Sequence, residues 1–190
     1  ARQRHKNKQS VERVGDAKLT DAEREAWEFT SQSYVKPGNR KDIGGYQYDA
    51  ELSDANTAVW HNHTTKKTHV SHRGSKTAYD WLVSDAQIGL GLEDYGSRFQ
   101  KATRKTTEAH AKYGYNVGSS GHSLGGTTTS HVTAQLGNSD WYDGGYTFNA
   151  GVSQLGKGGL LSKQRRDCAS ADPPPYCAKI QHLAEEKDAV

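Results

Sequence analysis

An α/β architecture, with a mixed and mostly parallel sheet carrying helices on both faces, is what this sequence predicts, and three observations predict it. Strand-like and helix-like stretches alternate after residue 68, the pattern of parallel strands joined by crossover helices. Residues 46–72 read instead as short strands separated by polar turns, an antiparallel meander entering the same core. The third observation is the run Ser119-Ser120-Gly121-His122-Ser123-Leu124-Gly125-Gly126. There a serine flanked by glycines sits between a strand-compatible stretch at 113–117 and a helix-compatible stretch at 127–136.

The chain has 190 residues, enough for one domain. Its apolar share of 33% is below the usual range, so a modest core and a polar surface are expected. Charges of both signs nearly cancel and four tryptophans are present, which is not the composition of a disordered chain. A net charge of +3 is too small to argue for a specific nucleic-acid partner. No apolar run reaches membrane-spanning length, and no signal-peptide core is present. No methionine occurs, so a processed chain is expected, with any leader removed.

Taken in order, residues 1–18 carry Arg2, Arg4, Lys6, Lys8, Arg13 and Lys18 with few apolar neighbours. They read as an extended arm, lying on an anionic partner or surface or else simply solvated; residues 19–190 then form the domain. Thr20-Asp21-Ala22-Glu23 is a capping box opening a helix that runs to about residue 34, and Pro37-Gly38 ends it. Strands are expected at 46–52, 57–61 and 68–72, with turns at 53–56 and 62–67. His61, His63, His69 and His72 fall in this meander. His61 and His63 share a strand face, but no carboxylate or cysteine joins them at ligand spacing, so they read as half-exposed hairpin residues rather than a metal site. A helix is expected at 77–89, a looser connection at Gly89, Gly91 and Gly96, and a long polar helix at 97–113 with a thin apolar stripe.

After the helix at 127–136, Gly137-Asn138-Ser139-Asp140 and Gly144-Gly145 read as turns, 146–149 as a short strand, 153–176 as loop and 178–183 as a final strand. Cys168 and Cys177 bracket a stiff Pro-rich loop. A disulfide there would contribute about 2–3 kcal/mol; two free thiols in a reducing compartment are the other reading. A zinc site would need a second pair at ligand spacing.

The chemistry resides in G-x-S-x-G, centred on Ser123. Strand, sharp turn, serine, helix is the layout of a nucleophile elbow, in which glycines are needed because side chains beside the turn would strike the neighbouring strand or helix. In that layout the backbone N–H of Leu124 points to where an oxyanion would form. The competing reading is a glycine-rich turn with an incidental serine.

Four segments together resemble a known family. Val70-Ser71-His72-Arg73-Gly74-Ser75, then Asp80-Trp81-Leu82 with Asp85, then Gly121-His122-Ser123-Leu124-Gly125-Gly126, then Thr147-Phe148-Asn149-Ala150-Gly151 look like the fungal-type (class 3) triacylglycerol lipases of the α/β-hydrolase fold, over roughly residues 20–190. The resemblance implies an oxyanion hole built from Ser75 and the Leu124 amide. It implies structural roles for Arg73, Asp85 and His122, and offers 78–92 as a lid. It also implies an orienting acid at Asp188, since Lys187-Asp188-Ala189-Val190 fits the family's Asp-x-Val after a late strand. The hydrolase order is serine, acid, histidine, yet no histidine follows Asp188.

Three explanations stand: a C-terminally truncated or processed chain whose histidine lies on a missing segment or a protein partner; a pair made of Asp172 and His182; or a site without activity. The expected function is a serine carboxylic-ester hydrolase acting on an ester or lipid through an acyl-enzyme, with no cofactor. The alternative is an inactive lipase-fold component of a larger assembly, for short hydrophilic lipase-like domains of this kind resemble those encoded by large DNA viruses of protists. An extracellular or virion-associated protein is expected rather than a cytoplasmic one.

Overall fold

The computed structural model describes residues 19–75, 95–150, 164 and 166–183. The basic arm, Asp80-Trp81-Leu82, Asp85, the 78–92 stretch offered as a lid, and Asp188 lie outside the described residues.

The first helix, α1 (Asp21–Ser33), begins where the capping box places it: the Thr20 side chain accepts from the Glu23 amide at 3.3 Å, and the Glu23 carboxylate accepts from the Thr20 amide at 2.7 Å. Ala26, Phe29, Thr30 and Ser33 form its buried stripe. Beyond it the chain turns, held by Arg40, whose buried guanidinium donates to the carbonyls of Val35, Ser33 and Asp54 at 2.8–3.0 Å. The meander follows as β1 (Gln47–Asp49), β2 (Thr57–Asn62) and β3 (Lys67–His72), paired antiparallel. Then come α2 (Tyr95–Tyr113), β4 (Asn116–His122), α3 (Leu124–Leu136), β5 (Tyr142–Phe148) and β6 (Ile180–Leu183). Strands β3 to β6 pair parallel, so the sheet order is β1-β2-β3-β4-β5-β6.

Strand alternation divides the core into two layers. Val59, Val70 and Val117 face α2 and α3, where Ala102, Ala109, Val132 and Tyr142 complete one cluster. Phe29 of α1 closes over Ile43, Ala58 and Trp60, and Ala26 over Phe148 and Leu183, on the opposite face. The mixed sheet covered on both faces is the architecture the sequence predicts.

Three expectations are corrected. The strand before the serine does not end at Val117: α2 runs to Tyr113, Gly114 turns the chain at φ +66°, and β4 extends to His122. Its small residues lack β propensity, but they occupy the middle of the sheet, where two helices approach on one side and α1 on the other. Gly144-Gly145 is not a turn but the middle of β5. Gly144 adopts φ +121°, and a Cβ there would lie 2.3 Å from the Lys179 carbonyl oxygen; tertiary approach, not a reversal of the chain, requires the glycine. Finally, His61, His69 and His72 are not half-exposed but buried, at 9%, 8% and 0% exposure, while His63 is exposed. His69 stacks on Phe29 with ring centroids 4.1 Å apart.

Cys168 and Cys177 form a disulfide, with Cα atoms 5.5 Å apart. It ties the chain just ahead of β6 at the 3₁₀ turn Pro175–Lys179. Tyr176 of that turn packs on Gly137 at the end of α3, where a Cβ would lie 2.4 Å from the Tyr176 Cβ. Among the described residues, no helix is long and apolar enough to cross a membrane.

Candidate active site

Ser123 is the single residue between β4 and α3, with φ +54° and ψ −123°. A non-glycine residue held there stores on the order of 1–3 kcal/mol of backbone strain. The surroundings over-determine it. The Ser123 amide donates to the Phe148 carbonyl at the end of β5 (3.0 Å), and its carbonyl accepts from Thr127 in the first turn of α3 (3.1 Å). A Cβ at Gly121 would lie 2.2 Å from the Gly125 carbonyl oxygen and 2.7 Å from Thr129 Oγ1. One at Gly125 would lie 2.0 Å from the His72 carbonyl oxygen and 2.9 Å from the Arg73 carbonyl carbon. One at Gly126 would lie 2.9 Å from Ala150 Cβ. The three glycines let strand, turn and helix approach at distances a side chain would forbid.

Leu124 is the first residue of α3, so its N–H has no partner within the helix and belongs to the positive end of the helix dipole. The segment carrying Ser75 arrives at the same place. β3 and β4 run parallel with His72 opposite Gly121, and the next residues, Arg73 and Gly74, pass against the turn. A Cβ at Gly74 would lie 2.8 Å from the His122 carbonyl oxygen and 2.3 Å from the Tyr34 hydroxyl. The Arg73 carbonyl accepts from the Arg98 guanidinium of α2, which fastens this segment from the other side.

The described histidines are each engaged. His61 stacks on Tyr113, with centroids 4.2 Å apart, and His131 stacks on Phe99. His63 Nδ1 meets the Tyr115 hydroxyl at 2.8 Å, and His110 Nδ1 the Tyr115 carbonyl at 2.9 Å. His69 Nε2 meets Ser120 Oγ at 2.8 Å. His72 lies 3.4 Å from Thr57 Oγ1. His122 Nδ1 meets the Tyr34 hydroxyl at 2.9 Å. His182 Nδ1 meets Thr147 Oγ1 at 2.7 Å, across β5 and β6. Asp172 is exposed in the bend before Pro173, so the Asp172–His182 pair is not assembled. Burial pushes the imidazoles of His69 and His72 down to about 3, with His72 adding to the effect on His69 and Arg98 to that on His72. Both rings are therefore neutral at ordinary pH.

Of the residues expected from the sequence, Ser123, Leu124 and the Ser75 segment converge at the C-terminal ends of β3 and β4. Sequence reasoning missed Tyr34, at the end of α1, and the buried contacts of Ser120 with Thr30, His69 and Ser71 at 2.8, 2.8 and 3.2 Å. Neither carries a spacing signal, because their partners lie 40–90 residues away in the chain.

No protein-family model matches this chain, and no curated protein matches it either. Among solved structures, the Lip2 lipase of Yarrowia lipolytica superposes with a TM-score of 0.53 at 13% identity, over 87% of this chain and 72% of that enzyme. The chain has the fungal lipase fold. Two further lipases of that fold match over less: the triacylglycerol lipase of Penicillium expansum (TM-score 0.46, 21% identity, 67% of this chain and 58% of that one) and the lipase of Rhizomucor miehei in its propeptide complex (0.46, 15%, 70% and 54%). The chain thus spans little more than half the length of these two enzymes. The fungal lipase fold accounts for the mixed, mostly parallel sheet.

Proposed function

We propose that this protein is a serine carboxylic-ester hydrolase working through an acyl-enzyme on Ser123. The observation that carries the reading is the backbone of Ser123, held at φ +54° at the head of α3 by three glycines that admit no side chain. Strain of this kind persists where the surroundings enforce it, and it is characteristic of reacting residues. In this reading the Ser123 hydroxyl attacks the ester carbonyl and loses its proton to a histidine. The Leu124 amide and Ser75 receive the developing negative charge, stabilisation commonly worth about 3–4 kcal/mol per donor. Collapse of the tetrahedral intermediate expels the alcohol and leaves an acyl-serine, which water then cleaves.

Asp188 would orient the histidine and stabilise its imidazolium. The eight described histidines have the other engagements set out above, so this reading takes its base from outside this sequence, on a further segment or on a partner chain. A short-chain ester or the acyl bond of a phospholipid suits so hydrophilic a chain better than a long-chain triglyceride, and the disulfide suits an extracellular or virion-associated protein. The engagement of those histidines also favours a second reading, an inactive component of a larger assembly.

A fluorophosphonate probe separates the two. The full chain is expected to be labelled covalently, and Ser123→Ala to lose the label entirely while keeping its melting temperature within a few degrees. Absence of labelling in the intact, folded native protein, with its full C-terminus and any partner in place, would leave only the inactive reading.

A further inference from the structure

One oxygen atom joins the two segments of the candidate site. The Tyr34 hydroxyl accepts the Gly74 amide at 3.2 Å and lies 2.9 Å from His122 Nδ1. Gly74 immediately precedes Ser75, and His122 immediately precedes Ser123. The fit is tight: a Cβ at Gly74 would sit 2.3 Å from that same hydroxyl oxygen, so position 74 is kept bare for the phenol to enter. The Tyr34 ring stands edge-on to the His122 ring, with centroids 6.0 Å apart, and Trp27 backs the imidazole from α1 at 6.1 Å. His122 is 3% exposed.

We infer that Tyr34 is a positioning residue that sets the separation between Ser75 and the Ser123–Leu124 turn, and with it the geometry of the two oxyanion donors. The inference rests on the ester-hydrolase reading of the site. Its chemistry is a relay: the Gly74 N–H donates to the phenol oxygen, and the phenol O–H donates to His122 Nδ1, which leaves His122 as the Nε2–H tautomer. Without the hydroxyl, the Gly74 amide and His122 Nδ1 both lose this contact, and the tie it makes between the Gly74 segment and the turn goes with it. A donor displaced by an ångström costs up to about 100-fold in rate, while substrate binding, which does not depend on the oxyanion contacts, is left as it was.

The test uses the full chain as wild type, Tyr34→Phe and Ser123→Ala, with a fluorophosphonate and with p-nitrophenyl acetate. The expected result is labelling of Tyr34→Phe slowed by about 10- to 100-fold, a matching fall in kcat with KM unmoved, and a changed Nδ1 resonance of His122 in ¹⁵N spectra. Equal labelling rates in a folded Tyr34→Phe and wild type would overturn the inference while leaving the esterase reading intact. A native wild type, with its full C-terminus and any partner in place, that takes no label would remove both. If Tyr34→Phe does not fold, 3-fluorotyrosine at position 34 keeps the shape and changes the hydrogen-bond strength of the hydroxyl: a labelling rate changed at least about twofold supports the relay, and an unchanged rate overturns it.

Discussion

Replacing Gly125 with alanine is expected to lower the unfolding free energy by about 3 kcal/mol, at the upper end of what overpacking costs. The added methyl would stand 2.0 Å from the His72 carbonyl oxygen and 2.9 Å from the Arg73 carbonyl carbon. Those are main-chain atoms of β3 and its continuation, so no side-chain rotation relieves the contact. Either α3 moves away from the sheet or β3 separates from β4, and each response opens the packed layer that contains Val70, Val117 and Val132. On the ester-hydrolase proposal, fluorophosphonate labelling should slow along with the loss of stability, because the displaced segment is the one that carries Ser75. Urea unfolding at neutral pH measures the effect. Gly96→Ala is the control: nothing lies within 4 Å of a Cβ there, in the first turn of α2, and alanine in an exposed helix is neutral or stabilising by up to about 1 kcal/mol. Two variants with the same urea midpoint would contradict the close approach described for Gly125.

Acid is expected to unfold this protein well before its carboxylates titrate. His69 and His72 are buried with imidazoles pushed down to about 3 from an ordinary 6.5, burial being the main cause for both. Between those two values the unfolded chain binds protons that the folded chain refuses, so each proton taken up favours unfolding. The stability they protect is complete above pH 6.5 and is lost as the pH falls from there toward 3, at about 1.4 kcal/mol per pH unit for each ring. Two rings together remove about 5 kcal/mol between pH 6.5 and 4.5, comparable with the whole stability of a small domain. Asp49 and Asp54, both held below the usual carboxylate range by their hydrogen bonds and lysine partners against the opposing effect of burial, add to the loss only at lower pH. Urea midpoints at pH 7, 5.5 and 4.5 test this, with His69→Asn expected to halve the slope. A midpoint that stays level from pH 6.5 to 4.5 would show that these rings charge without unfolding the chain.

How much of this could be read from the chain alone depends on whether the cause was local. The capping box at Thr20 and Glu23 and the glycines around Ser123 are spacing patterns a few residues long, and the structure forms the first and sets the second between a strand and a helix; the Arg73-Gly74-Ser75 segment was legible only through the resemblance. The pairing of Cys168 with Cys177 was one of two open readings, and their proximity in sequence is what made it one. Gly144 misled because a glycine pair marks a turn far more often than the close passage of a carbonyl such as that of Lys179. The histidines misled because a polar alternating strand reads as half-exposed unless one knows that α1 lays Phe29 over it. Tyr34 was invisible for the same reason: its partners come from two other segments of the chain, and only the assembled sheet brings them together.

The middle of the sheet joins Thr30, Ser71, His69 and Ser120 on one face, and on the other Ser119 and Thr133 meet the Tyr142 hydroxyl at 2.5 and 2.9 Å. Unfolding such an interior hydrates hydroxyls and imidazoles along with methyl groups. Polar and apolar hydration change the heat capacity in opposite directions, so this protein should take up less heat capacity on unfolding than an aliphatic core of equal size. Its stability then varies gently with temperature, and the range over which the chain stays folded is broad rather than high.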